Sequence, residues 1–203
     1  MHTTSAPFTL DFWKQSNKGK RHQFGWQGTS QEFGDIRVTY PLTPSHPEML
    51  ITEVRGGSIP TATFEARGIH TSGMVMPSLN RATLRLGDAH VHMTRNRLGV
   101  THQGRSLFLK HAGDTYRLAA NNHREYVLSR AADDEDPGVT ITVRETGRGS
   151  RKKLTLSVAK RAVGADIALA ALFAGVDRAT LTRRGAVRAG IARVTHLSVE
   201  SQY

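Results

Sequence analysis

Cations set around glycines are the strongest chemical signal in the chain. Arg144, Arg148, Arg151, Lys152 and Lys153 surround the tetrapeptide Gly147-Arg148-Gly149-Ser150. Glycine lets backbone amides come close to an anion, and flanking guanidinium and ammonium groups add charge, a combination suited to phosphate. Lys160 and Arg161 follow one strand length later, and Arg183 and Arg184 lie further along. From residue 138 onward twelve Lys and Arg stand against four Asp and Glu, so this third carries +8 of the formal +11. Concentrated charge says more about a partner than diffuse charge does. These nine residues are the candidate anion-binding set, and a solvated hairpin tip is the plain alternative.

Two other groupings could do chemistry. His90-Val91-His92 puts two imidazoles on one strand face, with His102 on the next run, a spacing that can ligate a metal. Ten histidines are scattered along the chain, so surface histidines explain the pair as well. The acidic run Asp133-Asp134-Glu135-Asp136-Pro137-Gly138 has oxygen ligands of the kind calcium takes, but lacks the alternating spacing that aims carboxylates inward. It reads as a solvated turn, able to pair with the basic hairpin. Neither G-x-S-x-G nor a phosphate-binding P-loop occurs. No catalytic residue, metal ligand or cofactor is therefore assigned. An enzyme would need a pocket gathering His90, His92 and an acid.

Bulk properties set the frame. A chain of 203 residues fits one domain, with or without tails. The absence of cysteine removes disulfides, thiolate metal sites and palmitoyl anchors, and suits a reducing compartment. The first residues lack a basic region followed by an apolar one, so no signal peptide is expected. No apolar run approaches the ~18 residues of a membrane span. The expectation is a cytoplasmic protein, peripheral to a membrane if its partner is lipid. A net charge of +11 favours an anionic partner: a membrane surface, an acidic protein or nucleic acid.

The elements that must position these residues show mostly a period of two. Ala82, Leu84 and Leu86 alternate with Arg81, Thr83 and Arg85; Ala89, Val91 and Met93 alternate with His90, His92 and Thr94. Leu107 and Leu109, Tyr116 and Leu118, then Tyr126 and Leu128 continue the pattern between Gly, Asn and Asp turns. Val139, Ile141 and Val143 pair by pattern with Leu154, Leu156 and Val158. Strands spaced by about ten residues predict an antiparallel sheet, closed as a barrel or folded as a sandwich. Residues 1–34 are the least regular: Phe8, Leu10 and Phe12 suggest one strand, and Phe24-Gly25-Trp26-Gln27-Gly28 reads as a loop with buried aromatics.

One segment breaks the alternation. Asp166, an apt N-cap, opens the run Ile167-Ala168-Leu169-Ala170-Ala171-Leu172-Phe173-Ala174-Gly175-Val176. A helix apolar on every side is buried on every side. The division expected is an irregular N-terminal segment 1–34, a β-barrel domain 35–182 with a central helix 166–176, and a basic tail 183–203. Val187, Ile191 and Val194 leave that tail open between a basic amphipathic helix and a closing strand.

This element order, a long antiparallel meander whose last strand Leu154-Thr155-Leu156-Ser157-Val158 leads into the apolar helix, resembles the tubby C-terminal-like superfamily. That group includes tubby domains, LURP-one-related proteins and phospholipid scramblases. The resemblance covers roughly residues 35–180 and implies a barrel of about twelve strands closed around a hydrophobic helix. It also implies binding to anionic lipid. It carries over no site residue, because the scramblases' cysteine cluster and the tubby proteins' basic positions have no counterpart here. The function expected is a non-enzymatic binding or scaffold module, docking through a basic face on anionic phospholipid head groups. The alternative is an interaction subunit for an acidic protein or nucleic acid.

Overall fold

The computed structural model describes residues 6–16, 22–41, 48–68, 74–95 and 105–182. Its strands are β1 (Phe8–Gln15), β2 (Gln23–Ser30), β3 (Gly34–Tyr40), β4 (Met49–Gly56), β5 (Ala62–Arg67) and β6 (Ala82–Leu86). They continue as β7 (Ala89–Arg95), β8 (Leu107–His111), β9 (Asp114–Ala120), β10 (Glu125–Arg130), β11 (Val139–Thr146) and β12 (Lys153–Ala159). One helix, α1 (Gly164–Leu172), follows and tightens into a 3-10 turn at Phe173–Gly175.

Each strand pairs antiparallel with its neighbours in sequence, and β1 closes onto β12 with Phe8 opposite Leu156 and Leu10 opposite Leu154. The sheet is thus a closed barrel and not a sandwich, with no free edge to pair with other chains. The register follows the expected apolar pairing: Ile141 faces Val158, and Val143 faces Leu156.

Alternation fixes which side chains fill the barrel. Leu10, Val38, Val54, Phe64, Leu109, Tyr116, Leu128, Ile141 and Leu156 are all buried. Small eight-stranded barrels fill with their own side chains, whereas sixteen strands leave a channel. Twelve strands leave room for a helix, whose diameter with side chains is about 10–12 Å. Ala168, Ala170 and Ala171 keep this helix slim, while Leu169, Leu172 and Phe173 reach the wall. Every residue from Asp166 to Leu172 is buried. Phe173 meets Phe64 edge-on at 5.9 Å between centroids.

The strands run alternately between two rims. The β2–β3, β4–β5, β6–β7, β8–β9 and β10–β11 connections, and the segment leading into α1, lie at what is here termed the proximal rim. The β5–β6, β9–β10 and β11–β12 connections, the described ends of the β3–β4 and β7–β8 connections, and the segment leaving α1 lie at the distal rim.

Three expectations are corrected. Residues 1–34 are not an irregular segment outside the barrel: they supply β1 and β2, without which β12 and β3 would be unpaired edges. Phe24-Gly25-Trp26-Gln27-Gly28 is strand, not loop. Trp26 points into the core, and a Cβ on Gly25 would sit 1.8 Å from the Val38 carbonyl oxygen and 2.8 Å from Trp13 Nε1. The glycine marks a close approach between strands. The helix starts two residues early, with Val163 at the N-cap and Asp166 inside the first turn. The tail 183–203 lies outside the described residues.

Candidate anion-binding surface

The helix ends are where charge enters the barrel. At the proximal rim the Asp166 carboxylate, fully buried, accepts the Val163 backbone N–H at 2.9 Å and so satisfies one of the first-turn donors. It also pairs with Arg130 Nε at 3.0 Å. Arg130 reaches Asp136 at 3.1 Å and Asp114 at 3.7 Å, with its own side chain only 4% exposed. Burial works against the Arg130 charge, but the hydrogen bonds and charges of Asp166 and Asp136 outweigh it and raise the guanidinium above its ordinary value. This cluster seats the helix start and is fully occupied with that task.

At the distal rim the orphan carbonyls of the helix end meet donors from the wall. Tyr126 Oη donates to the Ala170 carbonyl at 2.5 Å, and Thr52 Oγ1 donates to the Gly175 carbonyl at 2.6 Å. Arg178 donates to the carbonyls of Phe173 and Val176, and stacks 4.2 Å above the Tyr126 ring. A cation here complements the negative end of the helix dipole. Burial pulls the Arg178 pKa down, with Tyr126, Glu145, Asp177 and Tyr40 opposing the shift. Beside it lies a depression of about 310 Å³ lined by residues including Tyr40, Met76, His123, Arg124, Lys152 and Arg178.

The nine predicted cations do not form one site. Arg144, Arg148, Arg151, Lys152 and Lys153 all lie on the β11–β12 hairpin at the distal rim. Gly147, at φ +77°, closes the hairpin where a Cβ would meet the Arg151 carbonyl oxygen at 2.2 Å. Three of the five cations are matched: Arg144 with Glu125 at 2.6 Å, Lys152 with Glu145 at 2.8 Å and Lys153 with Asp11 at 3.7 Å. Arg148 and Arg151 at the tip are exposed. Lys160 and Arg161 lie at the other rim, because one strand length is the full height of the barrel. There the Lys160 ammonium donates to the Pro137 carbonyl at 2.6 Å. Arg183 and Arg184 fall outside the described residues.

The acidic loop does not reach the basic hairpin. It sits at the proximal rim, where the Asp133 carboxylate accepts the N–H groups of Glu135 and Asp136 at 2.9 and 2.7 Å, the local geometry of a turn. His90 and His92 point outward from β7 and are exposed, while His102 lies outside the described residues. Among the described residues no group of three metal-ligating side chains converges. No helix there is long and apolar enough to cross a membrane.

Charge differs between the two rims, a property that no linear stretch of the sequence displays. Among the described residues, the proximal connections carry Glu32, Asp88, Asp133, Asp134, Glu135 and Asp136 against Lys160 and Arg161. The distal connections carry Arg81, Arg105, Arg124, Arg148, Arg151, Lys152 and Arg178 against Glu48 and Asp177. The barrel is therefore polarised along its axis, acidic where the helix begins and basic where it ends. Among the described residues, two of the four exposed large apolar side chains, Met74 and Met76 at 44% and 37%, belong to the basic rim. No family model, curated protein or solved structure matches the chain.

Proposed function

We propose that the protein is a non-enzymatic docking module whose distal rim seats end-on against anionic phospholipid head groups. The axial charge polarity carries this reading. A bilayer surface bearing anionic lipid attracts each nearby Lys or Arg by about 1 kcal/mol. An acidic proximal rim turned toward solvent makes one orientation preferred. Met74 and Met76 give the basic rim an apolar contact, as interfacial anchors do. The resemblance in element order to tubby-like proteins supports the same partner. The barrel bore is filled by α1, which leaves the surface as the place for function.

Co-sedimentation with phosphatidylcholine vesicles, with and without phosphatidylserine, tests this. Acidic vesicles are expected to retain the protein in a salt-sensitive manner. The charge reversal Arg148→Glu with Arg151→Glu removes the two tip cations and adds two repelling charges. It is expected to weaken retention by at least 30-fold, from about 2 kcal/mol for the two lost attractions alone. Equal retention by neutral and acidic vesicles refutes the reading.

A further inference from the structure

The outer wall of the barrel is compensated almost everywhere. Outward carboxylates recur as Asp11 on β1, Asp35 on β3, Glu53 on β4, Glu65 on β5 and Glu125 on β10. Glu53 pairs with Arg55 at 2.6 Å, Glu65 with Arg67 at 2.6 Å and Glu125 with Arg144 at 2.6 Å. Between Glu65 and Glu125, β6 to β9 present no outward carboxylate among the described residues. They present Arg85, His90, His92, Lys110 and Arg117, and among these the ring of Phe108, 39% exposed.

Register makes this a patch and not a scatter. Phe108 is flanked across the sheet by Thr94 and Arg117. Lys110, two residues along the same strand, faces His92, and Arg85 faces His90. Arg117 Nε donates to Ser106 Oγ at 2.9 Å, which holds that guanidinium in place beside the ring.

We propose that this face binds single-stranded nucleic acid, with a base stacked on Phe108 and phosphates against Lys110, Arg117 and Arg85. Cations that track a backbone, combined with an aromatic ring for stacking, are the two parts such sites need. A duplex would use the charge but leave the ring idle. A bilayer met end-on is contacted by apolar groups in the rim connections, where Met74 and Met76 lie, whereas Phe108 lies within a sheet strand among cations. The ring on β8 and the hairpin tip tested with vesicles have β9 and β10 between them around the barrel, so this proposal stands or falls independently of vesicle binding.

Fluorescence anisotropy with a labelled oligothymidylate of about 12 nucleotides, within the span of known single-strand sites, is the test. Three cations on phosphates give an expected slope of log affinity against log salt of about −2, at ~0.7 per phosphate on a single strand. Phe108→Ala should weaken binding by about 5- to 150-fold, and Phe108→Tyr should restore it. Lys110→Gln should flatten the salt slope by about 0.7. Arg148→Glu with Arg151→Glu should leave the affinity within about twofold, since those residues lie on the β11–β12 hairpin, beyond β9 and β10 from the ring. Circular dichroism of each variant confirms the fold, which an exposed ring does not support. The proposal is overturned by absence of binding at low salt, by a Phe108→Ala variant that binds like the parent, by a duplex that binds as tightly, or by polyglutamate competing as well as the oligonucleotide.

Discussion

Removing the Asp166 carboxylate exposes how the helix is seated. Asp166→Ala leaves Arg130, 4% exposed, without its one fully buried counter-charge, and leaves the Val163 N–H without its acceptor. Breaking a buried ion pair from one side costs about 3–5 kcal/mol. Asp136, 3.1 Å from the guanidinium but 35% exposed, and Asp114, 3.7 Å away, stay behind and hold the loss near the lower end, about 3 kcal/mol. Arg130→Met strands the Asp166 carboxylate in the same way and is expected to cost a similar amount. The double substitution Arg130→Met with Asp166→Ala leaves neither charge buried and alone. It should therefore cost less than the sum of the two by about 2–3 kcal/mol, the upper part of the ~0.5–3 kcal/mol coupling found within one charge network. Equilibrium urea unfolding, followed by tryptophan fluorescence and circular dichroism together, gives all three values. Additivity within about 0.5 kcal/mol would refute the assignment of the pair as one energetic unit. A cost below about 1 kcal/mol for Asp166→Ala would show that solvent, not Asp166, carries the Arg130 charge.

Two further outcomes follow from the same geometry. Gly175→Ala places a Cβ 2.6 Å from both Thr52 Cγ2 and Tyr40 Cδ1, so the helix exit must shift; thermal unfolding should show a loss of about 1–3 kcal/mol, and an unchanged midpoint would contradict the packing. The Asp136 pKa is lowered by the Gly138 backbone N–H and by Arg130, so the unfolded chain binds the proton more readily. That stability is present above the ordinary aspartate pKa, near 4, and is lost as pH falls through the folded value. Asp136→Asn should therefore flatten the acid limb of a stability–pH profile, and an acid limb identical to the parent's would rule this out.

Local pattern was enough for much of the fold. Leu84 and Leu86, Tyr116 and Leu118, or Ile141 and Val143 alternate because a sheet with one wet face must alternate, and each lies inside as the pattern demands. The run from Ile167 to Val176 lacks a polar side, and nothing but an interior can hold it. Phe24 to Gly28 misled because glycine weakens a strand signal. Gly25 answers to Trp13 and Val38, and Gly28 to Thr9 and Leu10, on neighbouring strands that no local window contains. Asp166 was recognisable as a helix-start residue, but its exact place depends on Arg130, 36 residues away in sequence.

The surface was less legible than the core. The charge of each residue and the clustering of Arg144 to Lys153 are properties of the chain alone. Which cations stay uncompensated is decided by pairing across strands: Arg144 is matched by Glu125 from β10 and Lys153 by Asp11 from β1, whereas Arg85, Lys110 and Arg117 meet no outward carboxylate on β6 to β9. Lys160 and Arg161 are close to the hairpin in sequence but a barrel height away in space. The sequence by itself determined that this protein is a basic β-structure with one buried helix, because burial follows composition and period. Only closure of the barrel decided where its charge points, because closure sorts successive turns onto opposite rims and brings distant strands edge to edge.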